Sequence, residues 1–213
     1  MKSLVLKYYT LKKSRAASKY VDNARKTQSL PILIHPKSVI TKGNGARLYV
    51  EETLKIGTEF GFGSTPGKDI TIVNVNDGAV LDIKGVVNFA PGVRVKVLPG
   101  AKLVVGGDTH ISGFSKIFAF REVTIGKNCL ISWDVTIVDS DIHHLAHQQY
   151  NAGKICIEDN VWIGHGVSIL KNVTIGEGSV IGAKSVVTKS IPPRSLAVGN
   201  PARVIKSNIE WHP

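Results

Sequence analysis

Residues 157–187 read IEDNVWIGHGVSILKNVTIGEGSVIGAKSVV, and their apolar residues keep a strict period of six. Ile157, Ile163, Ile169, Ile175, Ile181 and Val187 open successive hexads, and the fifth places hold Val161, Val167, Val173, Ser179 and Ser185, always small or β-branched. A helix needs apolar spacings of three and four, and a half-buried strand alternates at two, so neither produces this repeat. A flat triangular coil does. Each hexad supplies a short side and a corner, three hexads close a turn, and the isoleucines stack into an interior ladder while Gly, Asn or Asp take the corners.

The period extends upstream through Ile125, Ile131 and Ile137, with Cys129 and Val135 in the fifth place. Looser echoes run through Leu81, Val87 and Val93 and through Ile83, Phe89 and Val95. Residues 106–122, GGDTHISGFSKIFAFRE, break the pattern and are expected to form irregular corners. Pro192, Pro193 and Pro201 stop the repeat, and the tail is expected to fold back as a strand or helix over the open end. The resulting division is a basic N-terminal helical segment at 1–30, a β-solenoid at 31–191, and a C-terminal cap at 192–213.

One interruption stands out. From Ile137 to Ile157 the chain makes one hexad and then a long excursion, placed at about 143–156, before the repeat resumes in phase. The stretch VDSDIHHLAHQQY at 138–150 sits at this junction, with His143 as the first residue of the excursion. A solenoid needs no connection of that length, so such a loop points to function.

The 213 residues are 43% hydrophobic and 20% charged, with no apolar run long enough to span a membrane, which fits a soluble domain expected in the cytoplasm. Cys129 and Cys156 read as small apolar residues rather than a disulfide. The net charge is +11, and residues 1–30 hold eight Lys and Arg against Asp22 alone. Leu4, Tyr8 and Leu11 fall at helical spacing among those lysines. Two readings fit: an amphipathic helix on an anionic membrane or partner, and a helix docked on its own domain. No zinc-finger or RNP-like motif accompanies the charge, so nucleic acid is not an expected partner.

The hexads, read as [IV]-G-x-x-[small]-x, together with VWIG and the closing GAKSVVTKSIPPRSLAVGNPARVIK, resemble the hexapeptide-repeat acyltransferases, nearest the sugar O-acetyltransferases of the maltose/galactoside type and the polysaccharide-modifying acetyltransferases. The likeness is tight from about Val123 to Lys206 and loose before it. It implies an all-β solenoid of the left-handed parallel β-helix type, a homotrimer with active sites between subunits, and acetyl-CoA as co-substrate with no metal. In that family the base is a histidine opening the corresponding loop, the place His143 takes here; His144 and His147 do not match it. The resemblance also puts Trp162 beside the pantetheine arm and acceptor, and Gly164, Ser168, Gly182 and Ala183 along that arm. Thr188 and Lys189 match positions near its nucleotide end, where Arg194 or Arg203 would suit phosphate.

Acyl transfer to a hydroxyl needs one base titrating near neutrality, and an imidazole supplies it. Asp139 or Asp141 would orient His143 or meet acceptor hydroxyls, or simply occupy turns. Trp133, outward by hexad count, is a candidate sugar-stacking wall. An asparagine contributing to the acceptor site in galactoside-type enzymes has its counterpart near Ser112, so acceptor identity does not carry over. The sequence-based reading is O-acetylation of a sugar hydroxyl in a surface polysaccharide or its precursor. The alternatives are N-acetylation of an amino-sugar nucleotide, xenobiotic acylation, a metal-dependent hydratase using His143, His147 and His165, and a noncatalytic trimeric scaffold.

Overall fold

The computed structural model describes residues 2–22, 30–59, 64–143 and 152–212, with side chains described from residue 10 onward. The hexads wind as a left-handed parallel β-helix, the expected class. Among the described residues, nine, seven and six strands line its three faces. Ile131, Ile163 and Ile181 stand in register on the nine-stranded face. Ile117, Ile137, Ile169 and Val187 do so on the seven-stranded face, and Ile125, Ile157 and Ile175 on the six-stranded face. None of these is more than 1% exposed. Parallel pairing with a closed perimeter is what turns a six-residue spacing into three continuous apolar columns.

Most corners obey backbone sterics, with Phe114 and Lys184 as exceptions. Asn128, Asp134, Asn160 and Asn172 adopt left-handed φ values between 55° and 61°, and Gly166 and Gly178 take 64° and 68°. These are the residue types that tolerate that region. The fifth places are equally constrained. Cys129, Val135, Val161 and Val167 are fully buried, as are Ser179 and Ser185 in the last coils. Those two serines are buried because the cap satisfies them. Ser179 Oγ donates to the Pro192 carbonyl at 2.8 Å, and Ser185 Oγ accepts from the Gly199 amide at 3.0 Å.

Residues 106–122 depart from expectation: they form a regular coil. Thr109–Ile111 and Lys116–Ala119 pair in register with the coils on either side. Val105, Ile111, Ile117 and Val123 keep the period of six and are fully buried. Only the inward positions are fixed by packing, so the polar outward residues concealed a repeat that persists. A further insertion lies between Ile56 and Ile72, again at a corner.

Both open ends of the solenoid are covered. Helix α1 (Lys2–Ser18) packs on the first strand, Ile32–Ile34, and buries Ser14 and Ala17. Ser14 Oγ accepts from the Ile34 amide at 3.0 Å, and Lys13 Nζ donates to the Pro36 carbonyl at 2.6 Å. Edge amides that would otherwise invite another strand are thereby occupied. This is the docked reading of the segment, with Lys12, Arg15 and Lys19 left on the exposed side; Leu4 and Tyr8 have side chains outside the described set. No helix among the described residues is long and apolar enough to cross a membrane. At the other end Ser195–Gly199 extends the nine-stranded face, and Ala202–Ser207 folds back antiparallel onto it through GNPA, whose Asn200–Pro201 bond is cis.

Ile163→Ala removes a rung of a column that has nowhere to collapse, and about 2–5 kcal/mol of stability should go with it. Leu170→Ala, at a 36% exposed position on the neighbouring face, should stay within about 0.5 kcal/mol of wild type in the same equilibrium denaturation experiment.

Candidate functional site

The excursion begins with a pinch. Ser140 forms an antiparallel bridge with Ala152, and the Gly153 amide donates to the Asp139 carbonyl at 2.8 Å. The chain thus leaves and rejoins the solenoid at one point, slightly earlier at each end than the hexad count placed it, since Lys154–Ile157 is already a strand. His143 lies just past the pinch, exposed on a bend, its amide donating to the Asp141 carbonyl at 2.7 Å. Ile142 before it has φ 64° and is 48% exposed, an unusual conformation for a β-branched residue. A strained residue beside a candidate base is a frequent companion of functional geometry. His144 and His147 lie outside the described residues.

The two aspartates have different situations. Asp139 is fully buried, and its carboxylate accepts the amides of Phe120, Arg121 and Glu122 at 2.6, 2.9 and 2.7 Å. That carboxylate secures the corner of the preceding coil and is not open to an acceptor, which corrects its expected place among acceptor residues. Asp141 is exposed and pairs with Lys171 Nζ at 2.5 Å.

The aromatic residues gather on the nine-stranded face. Trp162 is 42% exposed there, directly above Leu130, which in turn lies above His110. Trp211, from the C-terminal tail, lies 6.0 Å from Trp162 between ring centroids and donates Nε1–H to the Asn160 carbonyl at 2.8 Å. The tail is held by the Ile209 amide on the Arg194 carbonyl and by the Arg194–Glu210 ion pair. Trp133 stacks on His165 at 4.8 Å, with rings 9° from parallel. A groove of about 330 Å³ runs between these groups, lined by His110, Ser112, Leu130, Trp133, Trp162 and Trp211, among others. Burial holds the His110 imidazole below its ordinary pKa, partly offset by the Glu59 carboxylate. Sequence reasoning found Trp133 by hexad position and Trp162 by resemblance but gave His110 no partner and did not single out Trp211. Their signal exists only once coils stack and the tail returns.

His165 sits at the corner between the nine- and seven-stranded faces, whereas His143 follows the seven-stranded face toward the six-stranded one. These two members of the three-histidine alternative are therefore on separate corners. Among the described residues, no three His, Cys, Asp or Glu side chains are grouped to hold a metal.

The residues assigned to the donor have packing constraints of their own. A Cβ on Gly164 would sit 2.7 Å from the Ala183 backbone nitrogen, and one on Gly182 would sit 2.6 Å from Val198 Cγ1. Gly164 is required by the backbone of the coil above, while Gly182 is crowded by one side chain of the C-terminal strand. Ala183, Thr188 and Lys189 are exposed, Ser168 is half-buried on the seven-stranded face, and Arg203 donates to its own neighbour's carbonyl at 2.9 Å.

Residues 157–189 match the family model described as bacterial transferase hexapeptide (six repeats). A provisionally named acetyltransferase of Schizosaccharomyces pombe is 51% identical over 89 residues, 39% of this chain and 42% of that protein. The polysialic acid O-acetyltransferase of Escherichia coli O1:K1 is 43% identical over 118 residues, 53% of this chain and 38% of that protein. The matched segments thus span less than half of either relative. The crystal structure of the polysialic-acid-specific acetyltransferase NeuO superposes with a TM-score of 0.54 at 28% identity, covering 83% of this chain and 85% of that one. The family match falls on residues 157–189, within the hexads that carried the resemblance.

Two outcomes follow from this geometry. Asp139→Ala strands three backbone amides and should cost at least about 2 kcal/mol, while Asp141→Ala should cost under about 1 kcal/mol, both read by urea denaturation. His110 and His35 are both held below their ordinary pKa of 6.5 chiefly by burial. Their contribution to stability is therefore complete above that value and is lost as pH falls below it, because the unfolded chain takes up the protons more readily. A thermal-unfolding series from pH 8 to 5 should show this acid slope, flattened in a His35→Asn/His110→Asn variant.

Proposed function

We propose that the protein is an acetyl-CoA-dependent O-acetyltransferase acting on a sugar hydroxyl, with His143 as general base. The observation that carries this reading is the position of His143, exposed at the pinched base of the long excursion that precedes the matched hexads. The names of the relatives support transfer of an acetyl group, and those of the Escherichia coli protein and of NeuO support a glycan acceptor.

The chemistry is a direct displacement. The neutral His143 imidazole removes the acceptor hydroxyl proton as oxygen attacks the thioester carbonyl. The tetrahedral intermediate then expels the coenzyme A sulfur, which takes the proton back from the imidazolium, leaving an acetyl ester and a free thiol. The donor's pantetheine would lie along Gly164, Ser168, Gly182 and Ala183, with Thr188, Lys189 and Arg203 toward its phosphates.

His143 and the Trp162 groove occupy different parts of one prism: the first lies past the seven-stranded face, the second on the nine-stranded face. A complete site is assembled when the corner of one copy meets the face of another, and we assign a homotrimer on that ground.

His143→Ala should lower thiol release from acetyl-CoA in the presence of acceptor by at least about a hundredfold, with acetyl-CoA binding retained. Near-normal turnover would remove the base assignment. Mixing His143→Ala and Trp162→Ala subunits by refolding should restore part of the activity that each lacks alone. No recovery in mixed oligomers would argue against a site shared between copies.

A further inference from the structure

We infer that the groove on the nine-stranded face is the acceptor subsite and takes an uncharged sugar ring, oriented by His110 and walled on one side by Trp211 of the C-terminal tail. This rests on the acyl-transfer reading above.

Three observations converge. First, the groove is walled by Trp133, Trp162 and Trp211, the kind of surface on which the C–H face of a pyranose packs. Its lining also includes the hydroxyl residues Ser112 and Ser132. Among the described residues, no Lys, Arg, Asp or Glu lines it; its titratable lining groups are His110 and His212, so this chain brings no permanently charged group to pair with a carboxylate or phosphate on the ring. Lys55 and Glu59, lower on this face, are paired with each other at 2.5 Å.

Second, His110 is held by Asn88. The Asn88 amide nitrogen lies 2.9 Å from His110 Nδ1, and in the tautomer that accepts there the neutral ring carries its proton on Nε2. His110 lines the groove with that Nε2–H as its remaining polar atom, a donor suited to a sugar oxygen.

Third, Asn88 is poorly explained by stability. It is 6% exposed, and its Oδ1 is buried without a partner among the described residues. An orphaned buried acceptor destabilises a fold, so a polar side chain at this place is accounted for by what it holds, the His110 ring. Asn88 is thus a positioning residue.

The test is a titration of intrinsic tryptophan fluorescence with the methyl glycosides of glucose, galactose, mannose and N-acetylglucosamine, and with N-acetylneuraminic acid as the carboxylated competitor. At least one neutral glycoside should change the emission and bind more tightly than the acid. His110→Phe should weaken that binding by about tenfold, and His110→Gln, which restores a donor near Nε2, should recover most of it. Trp211→Ala should weaken it comparably while leaving acetyl-CoA binding unchanged. Asn88→Leu should weaken sugar binding while holding or raising Tm, a pair of opposite shifts that a merely structural residue would not give. Tighter binding of the carboxylated sugar, no response to any neutral glycoside, or an unchanged affinity in His110→Phe would each overturn the inference. Because the readout is binding, sugar recognition without thiol release would refute acyl transfer and leave the groove assignment standing, and the reverse result would do the opposite.

Discussion

Everything in this molecule depends on coil closure: each turn has to return the chain directly above where it began, so that isoleucine stacks on isoleucine. A perimeter of three hexads meets that condition, and left-handed corner residues such as Asn128 and Asn160 let the backbone turn without strain. The inward columns then supply the burial, at about 1.5–3 kcal/mol for each fully enclosed isoleucine. The outward positions remain free. That freedom is why one rigid prism can present an aromatic face, a strained bend and a basic helix without altering its core.

The parts legible in sequence are those fixed by closure. The hexads from Ile157 to Val187, the buried Cys129 and the excursion after Ile137 follow from counting alone, because a slip of one residue would turn an isoleucine into water. The same logic explains the misreading of residues 106–122. Val105, Ile111, Ile117 and Val123 keep the period there, but the glycine that often follows the isoleucine is missing after Ile111 and Ile117, and the outward polar residues masked the repeat. Packing demands that glycine at Gly164, where the coil above comes close, but not in this coil, where Ser112 and Phe118 take its place.

Residues that meet across coils were less accessible. Asp139 looked like a companion of His143 because they are neighbours in sequence, whereas its oxygens bind amides 17 to 19 residues earlier, one turn below. His110 finds Asn88 in the same way, 22 residues back. Trp211 reaches Asn160 across 51 residues by the return of the tail. A vertical neighbour in a solenoid has no fixed sequence offset once insertions intervene, so such partners appear only with the fold.

The bridge between Ser140 and Ala152, with Gly153 hydrogen-bonded to Asp139, gives the excursion a closed neck. The coils above and below keep their register through that neck, whatever length of chain the sequence inserts there. The solenoid therefore behaves as a socket, in which His143 stays fixed at the rim while the inserted segment is exchangeable. A change confined to that insertion would leave the stability of the frame that holds it almost untouched.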